Sequence, residues 1–142
     1  MRFLLFPFAI LYGLAVRLRH FLYDKGWLQS KQYPFPTLCV GNLAVGGTGK
    51  TPMVEYLVRL LGEEQVAILS RGYRRKTKGF VLADTSATAL TLGDEPFQYH
   101  RKFSKATVAV CENRQEGIEQ LLKHPNFQVI LLDDAFQHRK VQ

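Results

Sequence analysis

The chain has little cysteine, one tryptophan and no apolar run long enough to cross a bilayer. Two cysteines in 142 residues exclude a disulfide-stapled scaffold. Cys39 and Cys111 each sit in an apolar, strand-like stretch, with no neighbours at metal-ligand spacing. Both read as reduced thiols in or near the core. The longest apolar run, residues 3–16, has 14 residues. As a helix it reaches about 21 Å, short of the ~30 Å hydrocarbon core of a membrane. Acid is also scarce: 12 Asp and Glu face 19 Lys and Arg, a formal net charge of +7. Internal repeats and low-complexity tracts are absent. With 46% hydrophobic and 22% charged residues, disorder is excluded as a description of the whole chain.

The basic excess is local. Residues 1–31 carry Arg2, Arg17, Arg19, Lys25 and Lys31 against Asp24 alone. Residues 71–80 carry Arg71, Arg74, Arg75, Lys76 and Lys78 and no acid. Charge by itself favours a solvated loop and helix flank over a binding surface. The N-terminal segment says more. Past its apolar run, Leu18, Phe21, Leu22 and Trp27 continue among Arg17, Arg19, His20 and Lys25. That pattern is a helix with a greasy face and a basic rim, suited to a membrane interface. A signal peptide is the rival, with Gly13-Leu14-Ala15 as its small-x-small site. Basic residues follow the run without a polar spacer, which argues against it. Tyr33-Pro34-Phe35-Pro36 is an extended connector, so residues 1–32 form a membrane-associating helix and 33–142 the core.

Beyond the connector, short apolar runs alternate with helical patterns. Strands are expected at Thr37–Val40, Val66–Leu69, Phe80–Ala83, Thr107–Val110 and Val129–Leu132. Helices are expected at Pro52–Leu61, Asp94–Phe103 and Gln115–Lys123. This predicts an α/β fold, a parallel sheet covered by helices on both faces.

One loop carries the chemistry. Ala44-Val45-Gly46-Gly47-Thr48-Gly49-Lys50-Thr51 lies between a predicted strand and a predicted helix. Glycines let backbone N–H groups curl around phosphates. Lys50 suits the β- and γ-phosphates, and the Thr51 hydroxyl suits Mg²⁺. Ala44 replaces the first glycine of the usual pattern. A second element is the apolar strand ending in Asp133-Asp134. It delivers carboxylates at the sheet edge where ligands of open α/β folds bind. Adjacent strand residues point to opposite faces, so one of the two is expected at the metal. Asp94, in Gly93-Asp94-Glu95-Pro96, also suits a helix cap.

Four segments in this order resemble one family: Gly41–Pro52, Ser70-Arg71-Gly72-Tyr73, Gly93-Asp94-Glu95-Pro96, and Asp133-Asp134-Ala135-Phe136-Gln137-His138. Behind a hydrophobic-basic helix they look like tetraacyldisaccharide 4′-kinase, and the resemblance spans essentially the whole chain. It implies a P-loop NTPase-like core using ATP and Mg²⁺. The acceptor would be the 4′-hydroxyl of a tetraacylated glucosamine disaccharide 1-phosphate, giving lipid IVA in lipid A biosynthesis. It implies a peripheral enzyme on the cytoplasmic face of the bacterial inner membrane, with no nucleic-acid partner. By position, Ala44 to Thr51 and Arg71 serve the nucleotide, with Lys50 catalytic as well. Thr51, Asp133, Asp134 and Glu95 serve the metal, and Asp94 is the general base.

Some positions depart from the family pattern. Ala135 and Arg74 stand where glycine is usual. The family also has a second half that includes a histidine orienting the base; His138 belongs to the acidic motif and is no substitute for it. The chain is therefore expected to be an incomplete domain and a poor catalyst by itself. The alternative is a membrane-associated nucleotide switch of the Gly-Gly-x-Gly-Lys-Thr type. Val45, where many of those carry lysine, counts against it.

Overall fold

Short strands made of Val, Ile, Leu and Ala have no polar face, so they are stable only with cover on both sides. The computed structural model, which describes residues 12–18, 21–22, 25, 33–41 and 49–134, shows that arrangement. Strands β1 (Thr37–Val40), β2 (Val66–Ser70), β3 (Val81–Leu82), β4 (Thr107–Val110) and β5 (Val129–Asp133) form one sheet. Their order is β1-β5-β2-β4-β3. The pairs β1–β5, β5–β2 and β2–β4 are parallel. The short β3 is antiparallel to β4, a departure from the all-parallel expectation. No helix carries the chain back after β2, so β3 starts at the edge where β2 ends and runs the other way.

Residues 12–18 form a helical segment, α1. Then come α2 (Lys50–Leu61), α3 (Ala89–Leu92), α4 (Asp94–Lys102) and α5 (Arg114–Leu121). Pro52 falls in the first turn of α2, where a missing N–H costs nothing. The single-turn α3 was not legible as a helix; Thr88 and Thr91 close it with a reciprocal capping box.

Alternation along β2 and β5 sorts their side chains to two faces. Val66, Ile68, Val129 and Leu131 cluster with Val54 and Val58 of α2, Tyr99 of α4 and Phe103 at the C-cap of α4. Ala67, Leu69, Ile130 and Leu132 pack with Ile118 and Leu121 of α5. Each such aliphatic side chain, fully buried, contributes about 1.5–3 kcal/mol. The outermost strand β1 departs from the expected buried pattern, because among the described residues only β5 flanks it. Leu38 is 44% exposed and Cys39 is exposed, so only Cys111 is a core thiol.

Candidate active site

The four parallel strands all end at one sheet edge, and the candidate residues collect there. The loop after β1 begins at Gly41. Ala44, Val45, Gly46, Gly47 and Thr48 lie outside the described residues, as do Ala135 and His138. Gly49 caps α2 with φ 80°. That left-handed turn is natural to glycine and brings Lys50 and Thr51 into the first turn of the helix. Lys50 Nζ donates to Asp134 Oδ1 at 2.6 Å. This bond raises the lysine's pKa, so Lys50 stays charged.

Asp133 and Asp134 separate in the way strand geometry predicts. Asp133 is the last residue of β5, 2% exposed, opposite Val40 in register. The Ser70 hydroxyl donates to its Oδ2 at 3.4 Å. Asp134 leaves the strand at φ 55°, an uncommon conformation that aspartate tolerates better than most residues. Its amide donates to the Val40 carbonyl at 2.9 Å, extending the β1–β5 ladder by one bond past the end of β5. Burial, then the neighbouring Glu95 carboxylate, push the Asp133 pKa up to about 6.

Arg114 is the residue sequence reasoning missed here. It opens α5, is 3% exposed, and its Nη2 donates to the Asp133 carbonyl at 2.5 Å. Burial lowers its pKa, while the Asp133 and Asp134 charges oppose that shift. Its only local signal was a place just after the Asn113 cap, 19 residues before its partner.

The third component comes from α4. Thr51 Oγ1 donates to Glu95 Oε1 at 3.0 Å, joining the first turns of α2 and α4. Gly93, not Asp94, occupies the capping position, so the Asp94 carboxylate is not consumed as a cap and stays exposed. Beneath this pair the Tyr99 hydroxyl is wholly buried; burial and the Asp133 charge push its pKa up and keep it protonated. Arg71 follows β2, is exposed, and lies close enough to Arg114 for the two cations to repel.

The basic loop at 71–80 is only partly a charged surface. Arg71, Arg74, Lys76 and Lys78 are exposed. Arg75 folds inward: its side chain is 2% exposed, bonded to the Gly79 carbonyl and paired with Glu112 at 2.8 Å. It braces the loop, because a buried guanidinium needs a counter-charge.

Among the described residues, no three His, Cys, Asp or Glu side chains converge into a metal cage. Mg²⁺ does not need one. It binds through one or two carboxylates, keeps waters and takes phosphate oxygens. Thr51, Glu95, Asp133 and Asp134 offer oxygen donors alone, and a divalent cation would offset both the burial and the Glu95 repulsion that raise the Asp133 pKa. The donor set fits the ion.

Comparisons with known proteins bear on the family and the fold. The family model described as tetraacyldisaccharide-1-P 4′-kinase matches residues 1–142. A tetraacyldisaccharide 4′-kinase from Flavobacterium psychrophilum is 59% identical over 97% of this chain and 41% of its own length. One from Bacteroides thetaiotaomicron is 55% identical over 97% of this chain and 37% of its own length. The crystal structure of LpxK from Aquifex aeolicus in complex with ATP superposes with a TM-score of 0.87 at 42% identity. That match covers 97% of this chain and 45% of the other. The chain thus spans about two fifths of the length of its curated relatives.

Proposed function

This chain belongs to the tetraacyldisaccharide-1-P 4′-kinase family, and from that premise we propose that it supplies the nucleotide- and metal-binding part of a lipid A 4′-kinase. The observation that carries this reading is the convergence of three elements. Lys50 meets Asp134 at 2.6 Å and Thr51 meets Glu95 at 3.0 Å, at the edge where β5 ends in Asp133.

Lys50, Thr51, Gly49 and the loop 44–48 hold the phosphates of ATP, with Arg71 beside them. Thr51, Asp133, Asp134 and Glu95 would hold Mg²⁺, which would supply neutralisation of the phosphate charge. The 4′-hydroxyl oxygen of a tetraacylated disaccharide 1-phosphate bonds to the γ-phosphorus as the bond to the ADP oxygen breaks. Asp94 accepts the hydroxyl proton. The catalytic work lies mainly in positioning and charge stabilisation.

Residues 1–32 form the membrane-associating unit and 33–142 the catalytic core. Tyr12, Leu14, Leu18 and Phe21 are each more than half exposed, as a helix lying in a lipid interface requires. Among the described residues no helix is long and apolar enough to cross a membrane. The proposed location is the cytoplasmic face of the inner membrane, where ATP is available.

The test is transfer of labelled γ-phosphate from ATP to a tetraacyl disaccharide 1-phosphate, by a protein of the relatives' full length carrying this segment. Binding of ATP without transfer would overturn the kinase reading. Residues 1–142 alone are expected to transfer poorly.

A further inference from the structure

The first turns of α2 and α4 carry Lys50, Thr51, Asp94 and Glu95, so the spacing of these two helices sets the geometry of the site. Both helices feed one apolar cluster, which holds Val54 and Val58 of α2, Tyr99 of α4 and Phe103 at the C-cap of α4. Apolar contact is non-directional and leaves sliding weakly opposed. One polar seam crosses it. Glu55 lies one turn below Thr51 and is 8% exposed. Its Oε1 accepts from Gln98 Nε2 at 3.1 Å, and its Oε2 accepts from Lys102 Nζ at 2.5 Å. Arg59, one further turn down, reaches the same Oε2 at 3.5 Å and lies over the Phe103 ring at 5.2 Å.

Thr51 and Glu55 are spaced at i and i+4, and their partners, Glu95 for Thr51 and Gln98 and Lys102 for Glu55, follow one stripe of α4. Thr51–Glu95 is the top rung of a ladder whose lower rungs are made by Glu55. A buried carboxylate is an expensive way to join two helices that already share an apolar face. Its advantage is register. Directional bonds to two successive turns of α4 admit one axial and one rotational setting.

We propose that Glu55 is a positioning residue for phosphoryl transfer, holding the phosphate-binding helix and the base-bearing helix in register. This rests on the kinase reading above. A displacement near 1 Å between reacting groups costs about 10²-fold in rate, so a seam one turn below the site is close enough to matter. Glu55 is not among the residues assigned to nucleotide or metal, so its effect is expected on the rate of transfer.

The experiment compares Glu55→Met and Glu55→Gln in the protein at its relatives' full length. Methionine fills the space with apolar atoms and retains stability; glutamine keeps the shape and can bond to both partners. Glu55→Met is expected to lower kcat about tenfold or more, with ATP KM within twofold and the unfolding midpoint unchanged. Glu55→Gln is expected to recover most of the rate. Hydrogen exchange in the first turn of α4 is a readout independent of transfer, and it should rise in Glu55→Met. A fully active Glu55→Met, a parallel loss of ATP affinity, or unchanged exchange overturns the proposal. Absence of transfer in the unsubstituted protein would instead strike the kinase reading, and the exchange measurement would still decide the role of Glu55.

Discussion

Lys50 and Asp134 are 84 residues apart in sequence and 2.6 Å apart in space. The pair joins the phosphate-loop helix to the acidic strand end. Its side chains are 26% and 64% exposed, so it adds little to folding. Its consequence is placement: the ammonium is held at the site mouth, beside the carboxylates that would share the metal.

Lys50→Ala should therefore separate binding from stability. Loss of charge-assisted bonds to phosphate, about 1.5–3 kcal/mol, predicts at least tenfold weaker ATP binding. Unfolding free energy should change by less than about 1 kcal/mol. Calorimetric titration with ATP and denaturant unfolding check the two halves.

Asp94→Ala should abolish transfer and spare nucleotide binding. The carboxylate is exposed at the first residue of α4 and does not serve as the helix cap. Transfer measured at saturating ATP decides the matter; equal activity would remove Asp94 as the base.

Asp133→Asn should abolish Mg²⁺-dependent transfer while leaving the metal-free fold as stable or more stable at pH 7. Burial raises the Asp133 pKa from the ordinary 3.8 to about 6. The folded state thus binds more protons than the unfolded state between these values. Stability from this group falls as pH rises through that window, and at pH 7 the ionised form carries the penalty. Thermal unfolding in EDTA from pH 4 to 7 should show a shallower decline in the Asn variant.

Gly93→Ala should destabilise the protein by about 2–3 kcal/mol. Gly93 holds φ 93° and ψ 160°, a region essentially confined to glycine. An added Cβ would lie 2.8 Å from the Tyr73 carbonyl oxygen and 3.1 Å from Gly72 C. The residue lets the basic loop close against the start of α4. Transfer should fall together with the unfolding midpoint, unlike the pattern expected for Asp94.

Much of the core was legible because apolar periodicity and turn residues act locally. Thr37–Val40 and Thr107–Val110 were expected where they occur, and the ends of α2, α4 and α5 moved by only one or two residues. The phosphate loop was legible because glycines, Lys50 and Thr51 must be adjacent to serve one phosphate chain. Arg75 departs from the solvated loop that the charge pattern of residues 71–80 suggests. Its buried pairing depends on Glu112, 37 positions away, and no local pattern announces that. Cys39 was misread for a related reason: a strand's apolarity does not say whether it lies inside or at the edge of its sheet.

The sequence by itself determined the element types, the phosphate-binding loop, the acidic strand end and the family. These rest on adjacency, which folding preserves. Tertiary structure alone decided strand order, which helix ends meet, and which charged groups are buried. It brought Thr51 to Glu95, put Arg114 behind Asp133 and tied Glu55 to Lys102. Such pairings arise when distant segments share one low-dielectric interior, where a charge without a partner is costly and a partner must come from wherever the chain passes.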